Sequence, residues 1–227
     1  MMRINKFISS NSKYSRREAD SLIKQGKVKL NGKPINLGTQ IDPDKDEISV
    51  NGEKIVANEE KIVYIALNKP INFITTRKDE EGRRTIMELV PDIKNLKPIG
   101  RLDRNTEGLL LLSNDGEYIN KMTHPKYECE KEYKAVIYGN LTEEKRIQLE
   151  KGVIIEGKKT SPCIIKILER RPDETLLTIT IHEGRNRQIR KMFDCISVPV
   201  KYLQRIRIGN IHLGNLQKGC YKIINIQ

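Results

Sequence analysis

The four consecutive leucines from Leu109 to Leu112 are the feature that most constrains this 227-residue chain. A short uninterrupted apolar run between turn signals is typical of a strand buried on both faces, although a buried helix segment has the same pattern. Polar bends at residues 106–108 and 114–116 border the run on its two sides. We therefore expect a fully buried strand at this point of the chain.

Asp103 lies on the approach to this apolar strand, two residues after Arg101. A carboxylate drawn toward an apolar core needs a charged or hydrogen-bonding partner, or it takes up a proton. An isolated aspartate in a loop is usually a solvated turn residue. On this position alone that interpretation stays open.

The string from Gly100 to Leu112 reads GRLDRNTEGLLLL. It resembles the G-R-L-D-x-x-T-x-G-L-L-L-L motif of RsuA-type pseudouridine synthases, a family in which this aspartate is the nucleophile. The resemblance implies that Asp103 is catalytic and that Arg101 contacts RNA.

Two later strings resemble further motifs of the same family. The first is the K-x-Y triplet Lys131-Glu132-Tyr133. The resemblance implies that Tyr133 stacks on the target base or takes part in proton transfer. The alternative is a core residue, which is the usual role of a tyrosine on an apolar face. The string GRNRQIRKM, residues 184–192, implies that Arg190 pairs with Asp103. The other basic residues of that string are candidate RNA contacts: Arg185, Arg187 and Lys191.

Residues 1–58 are predicted to form a small domain of two short helices followed by a small sheet. Ser15 and Glu18 have the spacing of a capping box, and asparagine–glycine pairs separate short strands. The string from Ser15 to Gly32 resembles the S4 RNA-binding domain. That resemblance implies contacts between RNA phosphates and five basic residues, which are otherwise merely solvated: Arg16, Arg17, Lys24, Lys27 and Lys29.

The polar stretch from Ala57 to Lys61 is interpreted as a hinge, and a second domain is predicted over residues 62–227. Apolar or alternating runs predict strands at 62–67, 132–137, 176–181 and 202–208, with a helix at 186–196. In the last of these strands we expect Arg205 and Arg207 to share a face. The predicted fold class is α+β, an S4 domain followed by a catalytic domain whose central sheet, by the resemblance, is mixed and largely antiparallel.

A net charge of +12 indicates a polyanionic partner or an anionic membrane surface. The charge is concentrated near both ends: residues 1–33 and residues 182–227 each hold nine Lys or Arg against two acids. This distribution fits a protein that holds one polyanion at two places. No run of 18 apolar residues and no leader pattern occurs, so we expect a cytoplasmic protein without a membrane span.

Neither a cofactor nor a metal ion is expected. The four cysteines are widely spaced and are interpreted as reduced core thiols of a cytosolic protein. The string from Gly152 to Lys159 approaches a phosphate-binding loop but lacks the hydroxyl residue that holds magnesium, so we expect a hairpin there. Isomerisation of uridine is redox-neutral and needs no such group.

The sequence therefore predicts a monomeric enzyme that isomerises uridines of ribosomal RNA to pseudouridine. The charged loop at residues 77–85 contains the pattern D-x-x-G-R, which resembles that of family members acting on large-subunit ribosomal RNA. Two alternatives remain: an RNA-binding or ribosome-assembly protein without catalysis, which the S4 resemblance alone allows, and a membrane-surface protein.

Overall fold

The computed structural model describes residues 1–57 and 61–226. The chain forms two compact units, residues 1–61 and residues 62–227. The hinge predicted at residues 57–61 includes residues 58–60, which lie outside the described residues.

The N-terminal unit contains two helices and a small antiparallel sheet. Its elements are β1 (Met2–Arg3), α1 (Ile4–Asn11), α2 (Arg16–Lys24), β2 (Val28–Leu30), β3 (Lys33–Pro34), β4 (Gln40–Ile41), β5 (Ile48–Val50) and β6 (Glu53–Ile55). The four-stranded sheet has the order β3-β2-β5-β6, and β1 pairs with β4. The apolar faces of the helices and strands form one buried cluster that includes Phe7, Ile8 and Ile23.

The predicted capping box begins α2. The Glu18 backbone N–H donates to Ser15 Oγ at 3.2 Å, and the Ser15 N–H donates to Glu18 Oε2 at 2.6 Å. The predicted turns are also present, because Asn31-Gly32 and Asn51-Gly52 all have positive φ. Two positive φ values in succession define a turn whose twist matches that of a hairpin.

The second unit contains one large sheet flanked by short helices. Its elements are β7 (Tyr64–Lys69), β8 (Lys97–Ile99), β9 (Glu107–Ser113), α3 (Gly116–Thr123), β10 (Lys131–Tyr138), α4 (Glu143–Glu150), β11 (Ile154–Ile155), β12 (Lys158–Lys159), β13 (Ile164–Arg170), β14 (Glu174–Ile181), α5 (Gln188–Asp194), β15 (Val200–Ile208), β16 (Ile211–His212) and β17 (Tyr221–Ile223), with 3-10 turns at Ile86–Leu89 and Pro125–Tyr127. Strands β11 and β12 form the hairpin expected at residues 152–159.

The large sheet has the order β13-β14-β10-β15-β9-β7-β17. Strand β8 pairs with β9, and β16 pairs with β15. Among the described strands, β9 and β15 run parallel and the other neighbours run antiparallel, so the predicted mixed sheet is confirmed.

The four leucines lie in β9, whose seven residues are all buried. Leu110 and Leu112 belong to the larger apolar cluster of this unit, whereas Leu109 and Leu111 belong to a second one. Successive side chains of a strand point to opposite faces of the sheet. The strand is therefore buried on both faces, as the apolar run predicts.

Several boundaries and details differ from the sequence predictions. Strand β7 covers residues 64–69 rather than 62–67, and α5 begins at Gln188 because Arg187 adopts a left-handed φ of 51°. Of the four cysteines, Cys195 and Cys220 are exposed, so they are not core residues. No helix within the described residues has the length and apolar character needed to cross a membrane.

Candidate active site

A cleft of about 830 Å³ opens where β10 and β15 meet the segments that precede β9 and α5. Asp103, Tyr133 and Arg190, which lie far apart in the sequence, all line this cleft. The order of the sheet explains the convergence, because β15 pairs with β9 on one side and with β10 on the other.

Lys69, the last residue of β7, forms hydrogen bonds to the loop that carries Asp103. The fully buried Lys69 Nζ donates to three carbonyl oxygens, those of Asp103 at 3.1 Å, Thr106 at 2.9 Å and Pro70 at 3.0 Å. Burial lowers the pKa of Lys69 to about 8, while the charges of Asp103 and Glu107 oppose that change. The sequence analysis did not identify Lys69, although a lysine ending an apolar strand is a signal for a buried polar contact.

Gly108 allows the close approach between β9 and β15 on which the cleft depends. Its φ is +104°, and a Cβ at this position would lie 2.2 Å from the carbonyl oxygen of Arg205. Only glycine combines this backbone conformation with such a contact. The packing of β9 against β15 therefore explains why the T-x-G part of the motif has glycine at position 108.

Tyr133 projects into the cleft from β10, where its backbone is paired with Ile179 on one side and Arg205 on the other. The residue is 8% exposed, and its hydroxyl accepts a hydrogen bond from Arg205 Nη1 at 3.5 Å. A ring fixed between two strands at the edge of a cleft offers one face for stacking.

Arg190 reaches the cleft from α5, but it does not form the direct ion pair with Asp103 that the sequence suggested. Its guanidinium donates to the carbonyl oxygens of Val200 and Asn105, both at 2.9 Å. Among the described residues no carboxylate lies within 4.0 Å of it, because these two carbonyls hold the group between β15 and the Asp103 loop. Burial and the charge of Arg187 lower the pKa of Arg190, and the charge of Asp103 raises it, so the two groups interact at longer range.

The candidate RNA contacts of the second unit divide into two groups. Arg101 and Arg187 are exposed and line the cleft. Arg185 also lines the cleft, but it donates to the carbonyl oxygens of Lys158 and Lys159, and Lys191 donates to Glu156. Arg185 and Lys191 therefore hold the β11–β12 hairpin against α5, and their geometry favours a structural role.

The five basic residues proposed for the N-terminal unit are all exposed: Arg16, Arg17, Lys24, Lys27 and Lys29. No ion pair within the described part of the chain engages any of them. Exposed cations without a protein counter-charge suit contact with phosphates.

Arg205 lines the cleft as well, although it was not among the residues predicted for the site. The prediction that Arg205 and Arg207 share a face is wrong, because β15 contains a bulge opposite Glu132 and Tyr133. Arg205 faces the cleft with Tyr133, whereas Arg207 donates to Glu132 and Glu130 on the other face. A bulge reverses the alternation of side chains, and alternation alone does not reveal it.

Within residues 1–57 and 61–226, no group of three or more His, Cys, Asp or Glu side chains has the arrangement of a metal site. The cleft is lined by two carboxylates, those of Asp103 and Glu183, by the Tyr133 phenol and by several cations.

Comparisons with known proteins identify this combination. Residues 63–194 match the family of RNA pseudouridylate synthases, and residues 2–48 match the S4 domain. The chain is 42% identical to ribosomal large subunit pseudouridine synthase B of Bacillus subtilis, over 96% of this chain and 90% of that protein. It is 40% identical to the dual-specificity RNA pseudouridine synthase RluF of Escherichia coli K12, over 96% of this chain and 73% of that protein.

A solved structure supports the same assignment. A crystal structure of a pseudouridylate synthase, 31% identical, matches 99% of this chain and 96% of its own length with a TM-score of 0.71. The chain belongs to the RNA pseudouridylate synthase family and carries an N-terminal S4 domain, as its motifs predict. It is a pseudouridine synthase, an isomerase that modifies RNA.

Proposed function

We propose that this enzyme isomerises specific uridines of large-subunit ribosomal RNA to pseudouridine, with Asp103 as its catalytic anion. The observation that carries the proposal is the convergence of Asp103, Tyr133 and Arg190 on one cleft. The similarity to the Bacillus subtilis enzyme named for the large ribosomal subunit supports the substrate.

The reaction rearranges the atoms of one nucleotide. The bond between N1 of uracil and C1′ of ribose breaks, the base turns, and a bond forms between C5 and C1′. The C5 proton leaves, and N1 gains a proton, so no outside oxidant or reductant takes part. A carboxylate serves whether it attacks C1′, attacks C6 or removes the 2′ proton.

The position of Asp103 suits a reactive anion. Two hydrogen bonds from Lys69, to the carbonyl oxygens of Asp103 and Thr106, fix the backbone of its loop, and Asp103 lines the cleft. Arg190 and Arg205 line the same cleft and give it positive charge. Preorganised charge of this kind needs no rearrangement at the moment of reaction.

The target uridine has to leave its stacked position before C1′ and C5 become accessible. Extrusion of a base from an RNA helix costs a few kcal/mol. Stacking of the extruded uracil on Tyr133 recovers about 1–3 kcal/mol of that energy. The cleft volume of about 830 Å³ accommodates one nucleotide.

Affinity for RNA comes from cations outside the reacting centre. Arg101 and Arg187 at the cleft are proposed to contact phosphates near the target, and the basic residues of the S4 domain are proposed to hold a second part of the RNA. Such contacts release counterions, so binding weakens as salt increases. We further propose that the enzyme is a monomer and that it acts in the cytoplasm, where ribosomal RNA is assembled.

The experiment that tests this function is carbodiimide primer extension on ribosomal RNA from cells with and without the gene. We expect at least one stop in large-subunit RNA to disappear without the gene and to return with a plasmid copy. An Asp103→Asn copy, expressed at the same level, should not restore it. Identical stops in both strains would favour an RNA-binding protein without catalysis.

A further inference from the structure

Unpartnered polar atoms gather in the cleft. In the described part of the chain, four buried side-chain atoms have no hydrogen-bond partner: Asn68 Oδ1, Thr106 Oγ1, Arg190 Nε and Arg205 Nη2. The last three belong to residues that line the cleft. Because buried polar groups in native proteins are almost always paired, their concentration at one place indicates a surface that binds a polar ligand.

Arg205 is the most deeply buried charged group among these residues, with an exposed fraction of 2%. Its Nε donates to the carbonyl oxygen of Leu109 at 2.7 Å, and its Nη1 donates to the Tyr133 hydroxyl at 3.5 Å. Its Nη2 has no acceptor, and no carboxylate of the described residues lies within 4.0 Å of the guanidinium. A buried cation without a counter-charge is destabilising unless a ligand supplies an acceptor.

The position of Arg205 selects the part of the RNA that it meets. Its guanidinium carbon lies 5.9 Å from the centroid of the Tyr133 ring, at the hydroxyl end of that ring. The edge of uracil carries two acceptors, O2 and O4, and the unpaired Nη2 of Arg205 is a donor beside the ring on which the base is proposed to stack. Arg101 and Arg187 are exposed, so they, rather than the buried Arg205, suit contact with the phosphates of the RNA backbone.

We propose that Arg205 is a further catalytic residue, whose Nη2 donates a hydrogen bond to a carbonyl oxygen of the target uracil. This inference rests on the proposed isomerisation of uridine. When the N1–C1′ bond breaks, its electron pair passes to the base and is shared with O2 and O4, where the guanidinium stabilises it. The base then supplies the pair for the new C5–C1′ bond, as the C5 proton leaves and N1 takes up a proton.

The assay follows from that atom balance. Pseudouridine formation replaces the C5 hydrogen, so RNA labelled with tritium at C5 of uridine releases tritium to water. The substrate is a ribosomal RNA fragment that contains the target identified by primer extension. Full-length wild type, Arg205→Met, Arg205→Lys and the control Arg207→Gln are compared in single turnover, and RNA affinity is measured in parallel.

Arg207→Gln is the matched control because Arg207 lies on the same strand and faces away from the cleft. We expect Arg205→Met to lower the single-turnover rate by about 100-fold or more, the loss typical of removing one donor to developing charge. RNA affinity should change by no more than about twofold. The hydrogen bond to uracil is stronger in the transition state than in the initial complex, so its loss slows the reaction more than it weakens binding. A rate within about threefold of that of Arg207→Gln would overturn the inference.

A second readout separates base contact from a structural role or a phosphate contact. Target RNA is prepared with 2-thiouridine or 4-thiouridine at the modified position, since sulfur accepts hydrogen bonds weakly. Wild type should slow with one of the two, whereas Arg205→Met and Arg205→Lys should show no further slowing. Equal slowing in all three proteins would overturn the inference, as would a loss of affinity without a loss of rate.

Two further results, a variant that does not fold and an inactive wild type, also have a definite meaning. If Arg205→Met does not fold, Arg205→Lys becomes the test variant. Its ammonium group can still donate to the carbonyl oxygen of Leu109, but it has no equivalent of Nη2. If Arg205→Lys is then as active as wild type, the inference about Arg205 is overturned and the proposed function stands. A wild-type protein that releases no tritium from any ribosomal RNA overturns the proposed function as well.

Discussion

Asp103, Tyr133 and Arg190 show what residue-level patterns can and cannot reveal. The motif strings identified all three, and the structure brings them to one cleft. The strings did not reveal that carbonyl oxygens of Asn105 and Val200 hold Arg190, because backbone acceptors carry no sequence signature. Lys69 and Arg205 were missed for a related reason: their polar atoms bond mainly to main-chain carbonyls.

Replacement of Tyr133 separates stacking from proton transfer. Tyr133→Phe keeps the ring and loses only the hydroxyl that contacts Arg205, so we expect most of the activity to remain. Tyr133→Ala loses stacking worth about 1–3 kcal/mol, which corresponds to a fall of about 5- to 150-fold in kcat/KM. Tritium release in steady state measures both variants. A Tyr133→Phe enzyme as slow as Tyr133→Ala would show that the hydroxyl, rather than the ring, is needed.

At the scale of elements, the buried lysine connects β7 to the catalytic loop. Lys69→Met removes the donor from three carbonyl oxygens, in one buried and two partly buried hydrogen bonds. Each such group costs about 1–3 kcal/mol, and a shifted loop lowers activity on the order of 100-fold. Denaturant unfolding and single-turnover rates measure the two effects. The exposed Lys222 on β17 provides the control, since Lys222→Met should change neither quantity.

The same lysine gives a dependence on pH with a definite sign. Burial lowers the pKa of Lys69 to about 8, compared with 10.5 in an unfolded chain. Between pH 8 and 10 the unfolded state binds more protons, so the free energy of unfolding contributed by this group rises with pH. We expect the stability difference between wild type and Lys69→Met to increase from pH 7.5 to 10. A difference that stays constant over this range would contradict the lowered pKa.

The parallel pairing of β9 with β15 depends on Gly108. A Cβ there would lie 2.2 Å from the Arg205 carbonyl oxygen, and φ is +104°. We expect Gly108→Ala to lower the free energy of unfolding by about 2–4 kcal/mol, from backbone strain and overpacking together. Gly157→Ala is the control, because Gly157 also has a positive φ but has no atom within 4 Å of the added Cβ. Its expected loss, about 1 kcal/mol, reports the backbone term alone.

Elements were predicted well where periodicity or capping defined them. The Ser15–Glu18 box and the doubly buried β9 both appear as expected. The bulge in β15 and the left-handed Arg187 before α5 were not predicted, because both depend on pairing between distant strands or loops. Local patterns contain no information about such pairing.

At the scale of the whole molecule, basic residues are concentrated near both ends of the sequence, and the candidate active site lies in the second unit. The S4 domain presents exposed cations, and the second unit contains the cleft. Composition and charge pointed to a polyanionic partner, and the family comparisons agree with RNA modification. Composition could not indicate how the sheet assembles the cleft, since that depends on the order of strands that are distant in sequence.

Two pairs of substitutions with equal charge change test the RNA-binding role of the S4 domain. We expect the double variant Arg16→Gln and Arg17→Gln to bind ribosomal RNA more weakly and to lower the slope of log affinity against log salt by about 1.4–1.8, the value for two lost phosphate contacts. The control is Lys45→Gln with Lys54→Gln, because these lysines pair with Asp42 and Glu47. Equal losses in both double variants would indicate a general charge effect rather than contact.

The most direct test of the account is tritium release from C5-labelled ribosomal RNA by purified wild type and Asp103→Asn, with RNA affinity and unfolding measured on the same samples. The account predicts release by wild type and none above background by Asp103→Asn, which nevertheless binds RNA within about twofold and unfolds at the same denaturant concentration within error. Release by Asp103→Asn at a rate comparable to wild type would contradict the assignment of Asp103 as the catalytic anion.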